Sequence, residues 1–124
     1  VKSESKLYKK FKQNTPKILW TRLESWASFG VPDLLGYNDL CGFFMVELKI
    51  QTGNKIKFSP HQILFHTTRN HRNFILVEQA ADGGQRDIKL YSSLEINNLI
   101  HDPRAADPLA VNDFKKIQKI LINN

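Results

Sequence analysis

Cysteine is almost absent: Cys41 is the only one in 124 residues, which excludes an internal disulfide and a thiolate zinc cluster and asks for no oxidising compartment. Also missing is any run of about 18 apolar residues, the minimum for a membrane-spanning helix. The first residues are polar and charged rather than a basic flank leading into an apolar segment, so no secretory signal is readable. These absences lead to the expectation of a cytoplasmic protein that makes no membrane contact. No repeat, low-complexity tract or linker breaks the chain. With 41% apolar residues, one domain over residues 1–124 is expected.

What is present is basic charge, unevenly placed. The formal net charge is +6, and residues 1–22 alone carry +6 through seven basic side chains against Glu4, so the remainder balances to zero. A concentrated basic end suits a polyanion, most simply phosphates, whose neutralisation releases condensed counterions. The alternative is a solvated helix face that keeps the protein soluble.

Hydrophobic spacing predicts an amphipathic helix over "ESKLYKKFKQN", with Leu7, Tyr8 and Phe11 on one side and Lys6, Lys9, Lys10 and Lys12 around them. "KILWTRLES" reads as a strand, and "PDLLGY" with "FFMVELKI" as a hairpin turned by "NDLCG". Ser59 and Pro60 open a helix that runs to about Asn70. "FILVEQ" and "DIKLYS" pair around a glycine-rich connection, Ser93 caps a short helix over "LEINNLI", and "VNDFKKIQKILI" forms a terminal helix with Phe114, Ile117, Ile120 and Leu121 buried. Helices separated by strands predict an α/β fold with a mixed central sheet flanked by helices.

The segment "GVPDLLGYNDLCGFFMVELKI" carries the chemistry. Strand side chains alternate, so Phe44, Val46, Leu48 and Ile50 form one face while Phe43, Met45, Glu47 and Lys49 form the other. An acid and a base thus emerge together from an apolar strand, and the hairpin can bring Asp33 beside Glu47. Two adjacent carboxylates repel unless a cation lies between them. Hard oxygen ligands suit Mg²⁺ or Mn²⁺, and Lys49 can hold a water or offset charge developing on phosphorus. The competing reading is a Glu–Lys pair at a strand edge, with Asp33 capping the turn after Pro32.

"GVPD", then "VELK", then "FSPHQ" resemble, in this order, the PD-(D/E)xK nuclease superfamily, and in particular its phage-type branch of virus-type replication-repair (VRR-NUC) nucleases and Holliday-junction resolvases. The resemblance covers roughly residues 20–80 and departs from the phage pattern at Met45 and Val46, where an aromatic is common. It implies a restriction-endonuclease-like αβββαβ core and a divalent-metal-dependent endonuclease that hydrolyses DNA phosphodiesters, with branched or structured DNA as substrate and a homodimer as the working form. By the same resemblance Asp33, Glu47 and the Leu48 carbonyl are metal ligands, joined by Glu24 with Glu4 as its rival. Lys49 is the catalytic lysine, and Gln62 faces the active site from the helix after the third strand. Lys6, Lys9, Lys10 and Lys12 of the first helix, and Lys55 and Lys57 in the loop beside the site, are the candidate DNA contacts. A non-catalytic nucleic-acid-binding module, or a structural subunit of a replication or repair complex, is the alternative function.

Other residues are read as structural. His61, His66 and His71 recur every five residues, which walks around a helix instead of stacking ligands on one side, so they are expected to be partly exposed or capping. Trp20 is expected in the core. Cys41, in a turn with no base beside it, is not a nucleophile, and "DGG" is a hairpin turn without the helix a phosphate loop needs.

Overall fold

The computed structural model describes residues 2–23, 30–80 and 84–123. In chain order the elements are α1 (Lys2–Asn14), β1 (Leu19–Arg22), β2 (Leu34–Asn38), β3 (Gly42–Gln51), α2 (Pro60–Thr68), β4 (Asn73–Ala80), β5 (Arg86–Ser92), α3 (Ile96–His101), β6 (Ala110–Val111) and α4 (Phe114–Asn123). The six strands form one sheet in sequential order, antiparallel throughout except for the parallel pair β3 and β4, which α2 connects. The fold is therefore α/β with a mixed sheet and, among the described residues, four α-helices. None of these helices is long and apolar enough to cross a membrane.

Strand alternation divides the core. One side of the sheet presents Leu34, Phe44, Val46, Leu48, Phe74, Leu76, Ile88 and Leu90, covered by Leu7 and Phe11 of α1 and by Ile117 and Leu121 of α4. Leu7 and Phe11 lie one helical turn apart and are fully buried, which is what makes the lysine-rich α1 a helix with a docking face. The other side gathers Ile75, Val77 and Tyr91 with Ile56, Ile96, Leu99 and Ala106. Trp20 packs on the first core with its ring edge-on to Phe44 at 5.5 Å, as the sequence predicts. Only glycine fits at position 36, where an added Cβ would meet the Phe44 ring at 2.5 Å and Trp20 at 2.9 Å.

Several boundaries differ from expectation. α1 begins at Lys2, β1 covers only Leu19–Arg22, and β2 starts at Leu34 because Asp33 turns its side chain, not its ladder position, toward β3. α2 stops at Thr68. Val111, expected to open the terminal helix, forms β6 with Ala110 instead, where Ala110 pairs with Leu90 and Val111 with Lys89. The helix begins at Phe114 because Asp113 Oδ1 accepts the Lys116 amide at 3.0 Å and closes its first turn. Ser92, not Ser93, caps the 3₁₀ turn that leads into α3, accepting the Leu94 amide. Asp82 and Gly83 of the "DGG" turn lie outside the described residues.

Candidate active site

β2 and β3 stay paired up to Leu34 opposite Val46, after which β3 continues alone on that flank to Gln51. The vacated ladder position is taken by Asp33, whose Oδ2 accepts the Leu48 amide at 2.8 Å while its own carbonyl accepts the Leu23 amide at 2.8 Å. Asp33 is thus clamped from both sides. A strand residue turns its N–H and C=O to the same flank, so the Leu48 carbonyl faces the side that Asp33 occupies.

Glu47 stands next along β3 and is 1% exposed. Its Oε2 accepts a hydrogen bond from Gln62 Nε2 at 3.3 Å, and its Oε1 has no hydrogen-bond partner. Burial, then the charge of Asp33 and a hydrogen bond with it, push the Glu47 carboxyl up to about 10, against the opposing pull of Lys49. This carboxyl therefore carries a proton at neutral pH. Lys49 is 9% exposed, donates to Gln62 Oε1 at 2.8 Å and lies over the Phe58 ring at 4.8 Å.

Gln62 links these groups because of how α2 begins. Ser59 and Gln62 form a reciprocal capping box, with Gln62 Oε1 accepting the Ser59 amide at 2.9 Å and Ser59 Oγ accepting the Gln62 amide at 3.2 Å. The same cap that starts the helix fixes the amide between Lys49 and Glu47. Gly30 itself lies against this helix start: its φ is +79° and a Cβ there would sit 2.3 Å from the His61 carbonyl oxygen.

His66 corrects the reading of the histidines as exposed or capping. It is fully buried, its Nδ1 lies 2.8 Å from Ser93 Oγ, and its Nε2 lies 3.6 Å from Glu47 Oε1. That separation is too long for a hydrogen bond. Burial, reinforced by the Lys49 charge, lowers the imidazole to about 4, so it is neutral. A signal was available, since His66 follows Gln62 by four positions and shares its helix face.

Glu24 lies outside the described residues. Its rival Glu4, on α1, lines a cleft of about 390 Å³ with Lys49, Ile50, Thr52, Lys55 and Lys57. Burial and the Asp33 charge push the Glu4 carboxyl up, and Glu4 in turn raises Glu47. Lys55 and Lys57 are exposed at the mouth of this cleft, and Lys6, Lys9 and Lys12 are exposed along α1. Lys10 is occupied elsewhere, its Nζ held by Glu78 at 3.0 Å.

Among the described residues no group of three or more His, Cys, Asp or Glu gathers in metal-ligating geometry. The oxygen donors available are Asp33, Glu47 with its unpartnered oxygen, and the Leu48 carbonyl. Such a hard, incomplete set fits Mg²⁺ or Mn²⁺, which complete their shells with water and phosphate oxygens. The chain matches no protein-family model, no curated protein and no solved structure.

Proposed function

We propose that the protein is a divalent-metal-dependent endonuclease of the PD-(D/E)xK type, with a restriction-endonuclease-like core, that hydrolyses DNA phosphodiesters in branched DNA. The observation that carries this reading is Glu47, a carboxyl buried beside Asp33 with one oxygen unpartnered and no countercharge able to hold it ionised. A purely structural acid has no reason to be placed there.

Asp33, Glu47 and the Leu48 carbonyl would hold the ion. When bound, Mg²⁺ or Mn²⁺ supplies positive charge to the scissile phosphate and acidifies water. Lys49, steered by Gln62, presents its ammonium to the attacking water or to the oxygens that gain charge as the water oxygen bonds to phosphorus and the sugar oxygen departs. Gln62 keeps Glu47 and Lys49 apart and oriented. Lys55 and Lys57 bind the flanking phosphates from the cleft mouth, with the exposed lysines of α1 adding attraction that carries no sequence information. Paired cuts in opposite strands of a junction suit two copies acting together, so the proposed working form is a homodimer.

The test compares a labelled four-way junction with its matched linear duplex, in Mg²⁺ or EDTA, using wild type and Asp33→Asn. Metal-dependent cutting of the junction that the substitution abolishes is the expected result. Binding of both DNAs without cutting in either Mg²⁺ or Mn²⁺ would transfer the reading to a non-catalytic nucleic-acid-binding module.

A further inference from the structure

A groove of about 370 Å³ lies where α2 approaches β3 upstream of the site, lined by Leu35, Phe43, Met45, Phe65, Arg69 and Arg72 among others. Phe43 is 61% exposed and stands opposite Tyr37 in the β2–β3 ladder. Its ring lies against Tyr37 at 4.8 Å, giving a paired aromatic surface. The groove is built on the same strand and helix as the candidate active site. Along β3, Phe43, Met45 and Glu47 share one face, and along α2, Gln62, Phe65 and Arg69 follow one stripe. Phe43 and Glu47 are therefore about 13 Å apart along the strand, a length that a few nucleotides cover.

The groove's charge is of one sign. Arg69 stacks its guanidinium on Phe65 at 4.5 Å, and Arg72 lies over Phe44 at 5.5 Å with its Nε donating to the Phe43 carbonyl at 2.9 Å. Neither forms an ion pair among the described residues; the terminal nitrogens of Arg72 are buried without a hydrogen-bond partner, so Arg72 adds positive charge beneath the groove, while Arg69 is exposed on it. Arg72 also holds a left-handed backbone, φ 55°, which a non-glycine residue adopts at a cost. That conformation turns its amide unit so that its carbonyl accepts the Met45 amide at 3.1 Å while the side chain reaches back to Phe43.

From these features we infer that the groove binds an unpaired DNA strand, with a base stacked on Phe43 and its neighbour Tyr37 at the groove's edge, Arg69 on a phosphate and the buried charge of Arg72 behind it. Aromatic faces beside uncompensated arginines serve single strands, because only unpaired bases offer a free ring face. Duplex DNA would leave the exposed ring without a partner. The inference rests on the proposed nuclease reading and narrows its substrate to junctions, flaps or tailed duplexes whose unpaired strand enters along β3 toward Glu47.

The test uses a duplex with an unpaired tail carrying 2-aminopurine, and the same duplex without the tail, bound in EDTA so that no cutting occurs. Wild type is expected to prefer the tailed duplex and to change the 2-aminopurine fluorescence. Phe43→Leu should weaken tail binding about tenfold and remove the fluorescence change. Phe43→Trp should preserve both, and Leu40→Ala, at an apolar position that is 84% exposed outside the groove, should alter neither. Unchanged tail affinity and fluorescence in Phe43→Leu would overturn the inference. So would a switch of Phe43→Leu from dimer to monomer in sedimentation with tail binding unmoved, since the groove would then belong to a second copy. Cleavage of the tailed duplex in Mg²⁺ separates the two ideas: no cutting by wild type with intact tail preference removes the nuclease reading and keeps the groove.

Discussion

Two glutamates are buried in neighbouring strands on opposite sides of the same sheet, and the chain treats them differently. Glu78 on β4, 4% exposed, receives Lys10 at 3.0 Å and Arg86 at 3.2 Å. Glu47 on β3 receives one amide from Gln62, faces a neutral imidazole, and stands against a second carboxylate. Its nearest cation, Lys49, bonds to the same glutamine instead. Countercharge supplied within the chain marks Glu78 as structural. Countercharge withheld sets Glu47 apart, and it is the observation from which the metal site is proposed.

The largest expected effect tests that difference directly. Glu47→Gln and Asp33→Asn should each reduce Mg²⁺-dependent DNA cleavage by at least about a hundredfold, since each removes an ionic ligand while preserving shape. Glu78→Gln should leave cleavage within about twofold at temperatures where the protein is folded. Cleavage that survives Glu47→Gln would break the comparison at its root.

Stability should change in opposite directions. Replacing Glu78 with Gln loses the ion pairing with Lys10 and Arg86 and leaves one acceptor oxygen where two were used, and should cost about 1–2 kcal/mol, discounted for the partly exposed cations. Glu47→Gln should stabilise the metal-free protein at neutral pH, because a neutral amide needs no proton taken up on folding to be buried beside Asp33. Adding Mg²⁺ should raise the melting temperature of wild type and leave that of Glu47→Gln unmoved. Thermal denaturation with and without the ion measures all of these.

The pH dependence follows from the same carboxyl. In the fold Glu47 titrates near 10 against an ordinary value of 4.5, so the folded state keeps a proton that the unfolded state releases between these values. The contribution is fully present below 4.5 and is lost as pH rises toward 10, lowering metal-free stability across that window. His66 acts in the other direction: lowered from 6.5 to about 4, it costs stability as pH falls through that narrower range. Denaturant titrations at several pH values should find the falling slope above pH 6.5 reduced in Glu47→Gln. Because metal must displace the proton, Mg²⁺ affinity should rise with pH, by up to about tenfold per unit.

Much of this contrast could be read from local sequence, and some of it could not. The alternation in "FFMVELKI" put Glu47 and Lys49 on one face, and "SPHQ" announced the cap that holds Gln62, because both are short-range periodic signals. Burial of His66 depends on Ser93, 27 residues away, and the Glu78 pair joins residues 68 apart; no local pattern encodes such meetings. The two-residue β6 is specified by its pairing with β5 and by Asn112, whose side chain accepts the Ile88 amide at 2.7 Å, not by strand propensity. The terminal helix was legible in type and displaced in its start for that reason.

The smallest effect concerns lysines that look alike in sequence. Lys10 is 43% exposed but committed to Glu78, whereas Lys57 is exposed at the cleft mouth and forms no ion pair among the described residues. Lys10→Ala should cost about 0.5–1 kcal/mol of stability and leave DNA affinity in EDTA unchanged. Lys57→Ala should leave stability within about 0.5 kcal/mol, weaken DNA binding severalfold, and reduce the slope of log affinity against log salt by about one. The salt slope is the decisive readout because an altered fold shifts affinity at every ionic strength, whereas the loss of one phosphate contact changes the slope. Equal slopes for the two variants would mean that the ion pair with Glu78 opens to let Lys10 reach DNA, and that countercharge on the closed side of the sheet is lent rather than fixed.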